Sequence, residues 1–383
     1  MPERVAVLGA GVVGSATAWF LAKRGRGQVL LFDSGAVGAG STARSVGGIR
    51  SIFAHRLEME LSRFSLAAFR ELAAEHPRAA FTGCGYLLLA ADPERARRQD
   101  AVIDMARDLG VQVDDVAPAD LDRIIPGVSH EGIVRALHSP QDGYIAEPEA
   151  AARAYADRAV ATGRVSMFEH TPVRHVMPRH GGGFEIDTAG GPIGVDAIVI
   201  ALNAFAGPIL EGLGHRLASY PYPRHVFAVD PAPERMASGM PITVFQDGDL
   251  MLRHDGGRIT CIVGTAQASS DTIPDISAEL PVFRERIAQR LDLSRATVSH
   301  AWSGLRALTP DRRALVGALP GHPGAWCAMG FSGHGFMHAP AIGLALSEMV
   351  MDGECRSFDM AELRPDRFGE AAQAPPVLTA HHH

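Results

Sequence analysis

Three glycines after a short apolar run are the feature that most limits how this chain can fold. They are Gly9, Gly11 and Gly14, on the spacing GxGxxG. The apolar run at residues 5–8 leads directly into them, and an apolar-periodic segment follows at residues 13–24. This order predicts a strand, a tight turn and a helix, which is the first half of a βαβ unit.

Each glycine has a physical reason to stand where it does. Gly9 allows the tight turn out of the strand, Gly11 allows the backbone to approach a pyrophosphate, and Gly14 allows close packing of helix and strand. The helix start, at Val12 and Val13, offers backbone N–H groups and the positive end of the helix dipole to an anion. The turn is therefore predicted to bind a phosphate group.

The second half of the unit ends on an acid. A second apolar run, at residues 29–32, precedes Asp33 and Ser34, and Asp33 follows Gly9 by 24 residues. A carboxylate at this distance accepts hydrogen bonds from ribose hydroxyls. The complete pattern predicts a dinucleotide site, and the competing interpretation is a glycine-rich first turn of some other α/β domain.

Length, composition and charge limit the class of protein. A chain of 383 residues suggests two domains. The apolar content of 46% and the charged content of 21% are typical of a globular protein. The net charge of −7, without a block of like charges, argues against nucleic acid and anionic lipid as partners.

Residues 5–22 carry no charge, but we do not expect them to be a signal peptide or a membrane span. The spaced glycines disfavour a helix through the whole run. Glu3 places an acid in the segment that is basic in a signal peptide, and a strand pattern follows the run. The cysteines are scattered without a CxxC, so we expect no metal site and a reducing, cytoplasmic location; they are Cys84, Cys261, Cys327 and Cys355. The terminal histidines, at 381–383, are expected to be a tag remnant.

Changes of pattern along the chain predict two interleaved domains. Long helices are predicted at residues 56–74, 92–109, 149–163 and 339–351, and a loop-rich region at 117–148. From about residue 216 the pattern changes to alternating, antiparallel strands. We expect a discontinuous nucleotide-binding domain made of residues 1–85, 146–215 and 303–370. Residues 86–145 and 216–302 would form a mainly antiparallel substrate-binding cap, followed by a tail at 371–383.

Five motifs in a fixed order resemble one known family. They are RVAVLGAGVVG (4–14), GAGSTARSVGGIR (38–50), DGYIAEPEA (142–150), WSGLRALTPDRRALVG (302–317) and GFSGHGF (330–336). The chain resembles the FAD-dependent amino acid oxidoreductases of the D-amino acid oxidase type. These include glycine oxidases, sarcosine oxidases and dehydrogenases, and D-amino acid dehydrogenases. The resemblance implies an α/β fold with an FAD-binding, Rossmann-like domain and a mainly antiparallel substrate-binding domain.

The resemblance also assigns residues to FAD. It places the three glycines, Val12 and Val13 at the pyrophosphate and Asp33, with Ser34, at the ribose, where many relatives carry glutamate. The other residues that it implies are Ser41, Thr42, Ala43, Arg44, Ser45, Val173, Ala201, Gly304, Arg306, Gly330, Ser332, Gly333, His334, Gly335, Phe336 and Met337. Some relatives attach the flavin to a cysteine or a histidine. Residues 303–308 hold no cysteine, and Ala43 and Arg44 stand at the histidine position, so we expect noncovalent FAD.

Two arginines are candidates for binding a substrate carboxylate, since a guanidinium matches a carboxylate bidentately. Arg306, in WSGLR, matches the carboxylate-binding arginine of glycine oxidases and D-amino acid oxidases. Arg50, in GGIR, matches the one of monomeric sarcosine oxidases. Those enzymes carry a lysine directly after GFSGHGF, where this chain has Met337, and this difference favours Arg306. A surface ion pair is the alternative role for either arginine.

Three further side chains are candidates for the active site. Tyr222 and His225 begin the cap strands, where relatives place residues that line the substrate, and His334 lies in the second glycine turn. A packing role is equally open for each of them.

The resemblance implies oxidation of a small amino acid, either a D-amino acid or an N-alkyl glycine, by hydride transfer from the amine-bearing carbon to flavin N5. The alternatives are a 2-hydroxy acid oxidoreductase and a flavoprotein subunit of a larger electron-transfer complex. An NAD-dependent dehydrogenase would leave GFSGHGF unexplained. The acceptor would be oxygen, a quinone or a protein. The chain has a single lysine, Lys23, so it lacks the lysine with which sarcosine oxidases activate oxygen. This difference favours a dehydrogenase. The oligomeric state is also left open, and a homo-oligomer is one of the alternatives.

Overall fold

The structure is a computed structural model that describes residues 1–25, 27–236, 238–247, 250–264 and 269–369. The expected tail at 371–383, with its histidines, lies outside the described residues. The described chain forms a mixed arrangement of helices and sheets, which confirms the predicted α/β class.

Six strands form the first sheet, and they come from three separate parts of the chain. All neighbouring strands are parallel except the pair formed by residues 315–318 and 325–329, which is antiparallel. In spatial order the strands are β19 (Leu315–Ala318), β20 (Ala325–Met329), β13 (Ala197–Ile200), β1 (Arg4–Leu8), β2 (Gln28–Phe32) and β9 (Val165–Phe168).

Both faces of this sheet are buried. Val5 and Val7 of β1 belong to one apolar cluster, and Ala6 and Leu8 belong to another. The first cluster includes residues of α1 (Val12–Lys23), α2 (Arg56–Glu75), α5 (Pro148–Ala161) and α8 (Gly335–Asp352), together with Ala106. The second includes residues of α6 (Gly207–Gly212) and of a small sheet made of β10 (His175–Pro178), β11 (Phe184–Thr188) and β12 (Gly191–Val195). A strand buried on both faces explains the uninterrupted apolar runs in the sequence.

The second sheet has eight strands and is mainly antiparallel. Its one parallel pair joins residues 86–90 to residues 242–245. In spatial order the strands are β18 (Thr297–Leu308), β14 (Tyr220–Asp230), β17 (Arg258–Val263), β16 (Leu250–Asp255), β15 (Ile242–Phe245), β5 (Tyr86–Ala90), β7 (Arg135–Ser139) and β6 (Asp114–Val116).

The two faces of the second sheet pack differently. Tyr86, Leu88 and Met251 join the same cluster as the helices of the first sheet. Alternate residues, such as Leu87 and Phe227, pack with α7 (Leu280–Ala288). One face of this sheet is therefore turned toward the glycine turns, and the other is closed by its own helix. The remaining helices are α3 (Pro93–Asp108) and α4 (Leu121–Ile124).

The third sheet is small, and its strands alternate in the sequence with strands of the two large sheets. It consists of β3 (Gly48–Ile49), β8 (Gly143–Ile145) and β4 (Phe81–Gly83). It pairs the end of the GAGSTARSVGGIR motif with the DGYIAEPEA motif.

The structure extends several predicted elements and corrects others. Strand β14 begins at Tyr220, before Tyr222 and His225, the residues predicted to begin the cap strands, because Pro221 and Pro223 lie where β14 pairs with β18 alone. Helix α8 begins at Gly335 rather than at residue 339, and it keeps Pro340 in its second turn. The loop-rich prediction for residues 117–148 is wrong in part, since α4, β7 and β8 lie there.

Helices α1 and α8 cross so closely that only glycine fits at the contact. A Cβ added to Gly343 would lie 2.7 Å from the backbone carbon of Ala16 and 2.9 Å from the nitrogen of Thr17. Both helices carry few charges and are largely buried. The crossing fixes the second glycine turn relative to the first, because each turn immediately precedes one of these helices.

We expect Gly343→Ala to lower the free energy of unfolding by about 1–3 kcal/mol, because the added methyl overpacks a contact between two backbones. Chemical denaturation of the purified protein measures the change. Gly207→Ala is the matched control, since a Cβ at this helix start meets nothing within 4 Å. Equal stability of the two variants would contradict the argument.

Candidate functional site

The first glycine turn has room for no side chain at two of its three positions. Gly9 has φ +100°, and a Cβ there would lie 2.6 Å from the carbonyl oxygen of Ala201. A Cβ on Gly14 would lie 1.8 Å from the carbonyl oxygen of Gly9. Gly11 lies beside Thr42, whose hydroxyl accepts a hydrogen bond from Val12 N at 3.1 Å. The turn thus brings Ala201 and Thr42, both predicted site residues, to the start of α1.

Asp33 is fixed at the same edge of the sheet. Its Oδ2 accepts a hydrogen bond from Ala10 N at 2.7 Å, and its Oδ1 accepts one from Gly35 N at 2.9 Å. Its backbone oxygen accepts from Thr171 N at 2.7 Å, which brings the segment containing Val173 to this point. Ser34 follows directly. The carboxyl ends of parallel strands are where α/β folds bind nucleotides.

Residues 41–45 connect the first glycine turn to the second sheet. Ser41 Oγ donates to Leu305 O at 3.0 Å, and Arg44 Nη1 donates to Ser303 O at 3.0 Å. The carbonyl of Arg44 accepts from Trp302 Nε1 at 3.2 Å. The intervening Ala43 is exposed, and Ser45 accepts a hydrogen bond from Gly47 N. The loop is therefore held against β18 by three hydrogen bonds at two of its residues, Ser41 and Arg44.

The second glycine turn lies against the end of β18. Ser332, with φ +52°, donates from its backbone N to Ala307 O at 2.8 Å. A Cβ on Gly330 would lie 2.6 Å from Thr309 Cγ2. Gly333 is exposed, while Gly335 starts α8. The next two side chains, Phe336 and Met337, are buried in the core, and Phe336 stacks on Phe69 at 5.2 Å. Only the backbone at 336 and 337 is thus placed to face a ligand.

Arg306 and Tyr222 lie directly opposite each other on β18 and β14. A Cβ on Gly304 would lie 2.8 Å from Arg44 Cβ, so this face of β18 is turned toward residues 41–45. Arg306 is two residues further and points to the same face. It is half-buried, whereas Tyr222 is fully buried and its pKa is raised by burial.

His225 is not brought together with these two residues. It is three residues from Tyr222 on one strand, so its side chain points to the opposite face. There its Nδ1 lies 2.7 Å from Ser303 Oγ, and both side chains are buried. Burial lowers the pKa of His225. The structure therefore favours the packing role that the sequence left open for this residue.

Arg50 and His334 meet between the third sheet and the second glycine turn. Arg50 Nη2 lies 3.2 Å from His334 Nε2, and the guanidinium lies 4.4 Å from the ring centroid of Phe53. The same phenyl ring packs on His334 and on the buried His338. Burial lowers the pKa of Arg50 and lowers that of His338 to about 3. The guanidinium of Arg50 is thus held against the rings of Phe53 and His334.

The buried carboxyl of Asp142 binds the residue that follows Arg50 in the chain. Asp142 accepts hydrogen bonds from Ser51 N at 2.8 Å and from Ser51 Oγ at 2.7 Å. Burial raises its pKa to about 6. Phe53, Asp142 and His338 were not predicted as site residues from the sequence. Asp142 lies in the quoted motif DGYIAEPEA, and that position was the one available signal.

A cleft of about 1180 Å³ opens between residues 39–45, residues 144–149 and one end of the second sheet. Arg44, Trp302 and Arg253 are among its lining residues. Arg253 is buried there, paired with Asp255 and lying 4.5 Å from the ring centroid of Tyr144. Residues from five segments that are distant in sequence line this cleft, so no single stretch of sequence signals it.

The residues present fit a dinucleotide. Two glycine turns, crowded at Gly9, Gly14 and Gly330 and each followed by a long helix, lie with a fixed carboxylate at the carboxyl ends of parallel strands. Backbone N–H groups at such helix starts bind phosphate, and the carboxylate suits ribose hydroxyls. Fold and site together define a nucleotide-binding α/β protein with a second sheet placed over the turns.

The family follows from comparison with known proteins. Residues 4–349 match the model of the DAO family, described as FAD dependent oxidoreductase. The chain belongs to this family, and it is therefore an oxidoreductase that uses FAD. This confirms the predicted family, enzyme class and cofactor.

Relatives of known activity align with most of the chain. It is 27% identical over 368 residues to the glycine oxidase of Geobacillus kaustophilus, covering 93% of this chain and 95% of that protein. It is 24% identical to the mitochondrial dimethylglycine dehydrogenase of Rattus norvegicus, covering 95% of this chain but 44% of that protein. The crystal structure of L-proline dehydrogenase from P. horikoshii superimposes with a TM-score of 0.87 at 26% identity, covering 96% of this chain and 98% of that chain.

Within the described ranges, no helix combines the length and the apolar character needed to cross a membrane.

The buried carboxyl of Asp142 should make stability depend on pH. Its folded pKa of about 6 lies above the ordinary value of an aspartate, so the folded state holds the proton more tightly. Its contribution is fully present below the unfolded pKa and is lost as the pH rises through about 6. Between pH 4 and pH 7 the free energy of unfolding of the native protein should fall, relative to Asp142→Asn, by on the order of 3 kcal/mol.

Denaturation of both proteins at several pH values measures this difference. Asn cannot titrate, so the variant supplies the baseline for all other groups. A constant difference across the range would show that Asp142 titrates alike in the folded and unfolded chain.

Proposed function

We propose that the protein oxidises a small amino acid, either a D-amino acid or an N-alkyl glycine, with noncovalently bound FAD. The observation that carries the proposal is the position of Arg306, which lies opposite Tyr222 on the sheet face turned toward the predicted flavin loops. The activities of glycine oxidase and of dimethylglycine dehydrogenase, both relatives, support a substrate with an amine next to a carboxylate.

Arg306 would bind the substrate carboxylate. A half-buried guanidinium on a strand has few alternative orientations, and it pairs bidentately with a carboxylate. The buried Tyr222 beside it would limit the volume available to the substrate side chain. Such positioning holds the amine-bearing carbon in one place, which is the main task of the protein in this chemistry.

When bound, FAD supplies the electron sink that takes the hydride from the amine-bearing carbon. The residues proposed to hold it are those of the two glycine turns, Asp33, residues 41–45, and the segments around Val173 and Ala201. The positions at which some relatives attach the flavin are occupied by Ala43, Arg44 and residues without cysteine, which supports noncovalent binding.

The electron acceptor is proposed to be a quinone or a protein rather than oxygen. The one lysine of the chain, Lys23, lies in the last turn of α1 and packs near Trp19. It is thus not available near the carboxylate-binding arginine. The cytoplasmic location and the domain boundaries stay predictions.

Anaerobic reduction of the flavin tests the proposal directly. The yellow holoenzyme is mixed with D-amino acids, L-amino acids, N-methyl amino acids and 2-hydroxy acids, and loss of flavin absorbance is followed. Bleaching by an amine, with release of ammonia or a primary amine, supports the proposal. Bleaching by hydroxy acids alone would establish the alternative chemistry, and no bleaching by any compound would point to a subunit of a larger complex.

Replacing Arg306 tests the role of the carboxylate anchor. Arg306→Ala should cost about 2–5 kcal/mol of substrate binding, because one buried charge loses its partner. The substrate affinity of Arg306→Lys should lie between that of Arg306→Ala and that of the native protein, since lysine keeps the charge without the bidentate geometry. Titration of the oxidised flavin spectrum with substrate analogues measures both. Arg295→Ala, at an exposed ion pair, is the control, and an unchanged affinity of Arg306→Ala would remove Arg306 from the site.

A further inference from the structure

Arg50 is a desolvated cation with no acid paired to it among the described residues. Its Nη2 contacts His334 Nε2 at 3.2 Å, and its guanidinium lies on the ring of Phe53. Its Nε is buried and has no hydrogen-bond partner in the described part of the chain. Because an arginine side chain only donates, His334 Nε2 must act as the acceptor, and this contact orients the guanidinium without neutralising it.

Asp142 acts on Arg50 through its charge but forms no ion pair with it. Both oxygens of Asp142 instead accept hydrogen bonds from Ser51. Burying a charge without a direct partner is costly, so such groups are normally paired. The guanidinium of Arg50 therefore suits an anion that comes from outside the chain.

Arg50 and Arg306 border the same short segment of the second glycine turn. Ser332 N donates to Ala307 O at 2.8 Å, next to Arg306 in β18. Two residues later, His334 contacts Arg50. Three extended residues span at most about 10 Å. The segment 332–334 thus connects two guanidinium groups that approach the turn from β18 and from the third sheet.

We propose that the substrate carries a second acidic group, and that Arg50 binds this group while Arg306 binds the carboxylate beside the reacting carbon. The proposal rests on the proposed function, and it narrows the substrate class to amino dicarboxylates or amino acids with an equivalent acidic side group. His334 is a positioning residue for Arg50. The oxidation itself is unchanged, because the second acid takes no part in the hydride transfer.

Matched substrate pairs test the proposal. Iminodiacetate differs from sarcosine by one carboxylate, and D-aspartate differs from D-alanine in the same way. We expect the native holoenzyme to favour the diacid of at least one pair in kcat/KM. Arg50→Gln should lower kcat/KM for that diacid by about 100-fold and leave the monoacid within about threefold, because one buried charge pair is lost. Arg70→Gln is the control, since Arg70 also lies over a phenylalanine ring, that of Phe81, but is exposed.

A binding measurement on the native holoenzyme needs no variant to fold. Thiodiacetate and (methylthio)acetate differ by one carboxylate and carry no amine to oxidise. Perturbation of the oxidised flavin spectrum gives their dissociation constants, and we expect the diacid to bind at least about tenfold more tightly. This preference should weaken with added salt, which screens charge pairs.

Three results would overturn the proposal. Equal loss of diacid and monoacid turnover in Arg50→Gln would make Arg50 the anchor of the single carboxylate. Loss of FAD from Arg50→Gln, measured by the flavin retained on dialysis, would make the cofactor its counter-ion. Equal affinity for the two thioethers would show that no second acid is bound. A holoenzyme that no amine reduces would instead refute the proposed function itself.

Discussion

The contact between the first turn of α1 and the end of β1 determines the position of almost every other part of the site. Gly14 lies so close to the carbonyl of Gly9 that a methyl group would stand 1.8 Å from the oxygen. Helix α1 can therefore pack directly on the sheet, and α8 can in turn pack on α1 through Gly343. The second glycine turn is the start of α8, so its distance from the first turn follows from two successive backbone contacts.

The second sheet is fixed over the glycine turns because one of its faces shares an apolar cluster with the first sheet and its helices. Tyr86, Leu88 and Met251 pack with the helices of the first sheet. The same face carries Trp302, Gly304 and Arg306 at the edge strand, where residues 41–45 hold β18 through backbone and side-chain hydrogen bonds. The arginine that would bind substrate is thus part of a continuous, packed surface, and this limits its freedom.

Strong local patterns were sufficient to predict much of the fold. The periodicity of α2 and the strand, turn and helix of residues 4–23 gave element ends within about one or two residues. Elements whose stability depends on distant partners were predicted less well. Strand β14 contains two prolines that only its one-sided pairing tolerates, and β8 is three residues long and exists because β3 and β4 flank it.

The parts of the candidate site also differ in how clearly the sequence indicates them. Glycine spacing and the acid at Asp33 mark the first turn in sequence, because one continuous unit forms it. The strand spacing of Tyr222 and His225 already implied opposite faces, a signal that alternation along a strand provides. The grouping of Arg50, Phe53, His334 and Asp142 depends on three separate segments, and no periodicity in one segment predicts it.

The order of strands in the first sheet has a consequence for biosynthesis. β1 pairs with β13, and β13 pairs with β20, so the sheet lacks its last parallel strand until residues 325–329 have left the ribosome. Until then the nascent chain exposes an apolar strand edge, which is a surface prone to aggregate. The first sheet can therefore be completed only after residues 325–329 have been synthesised.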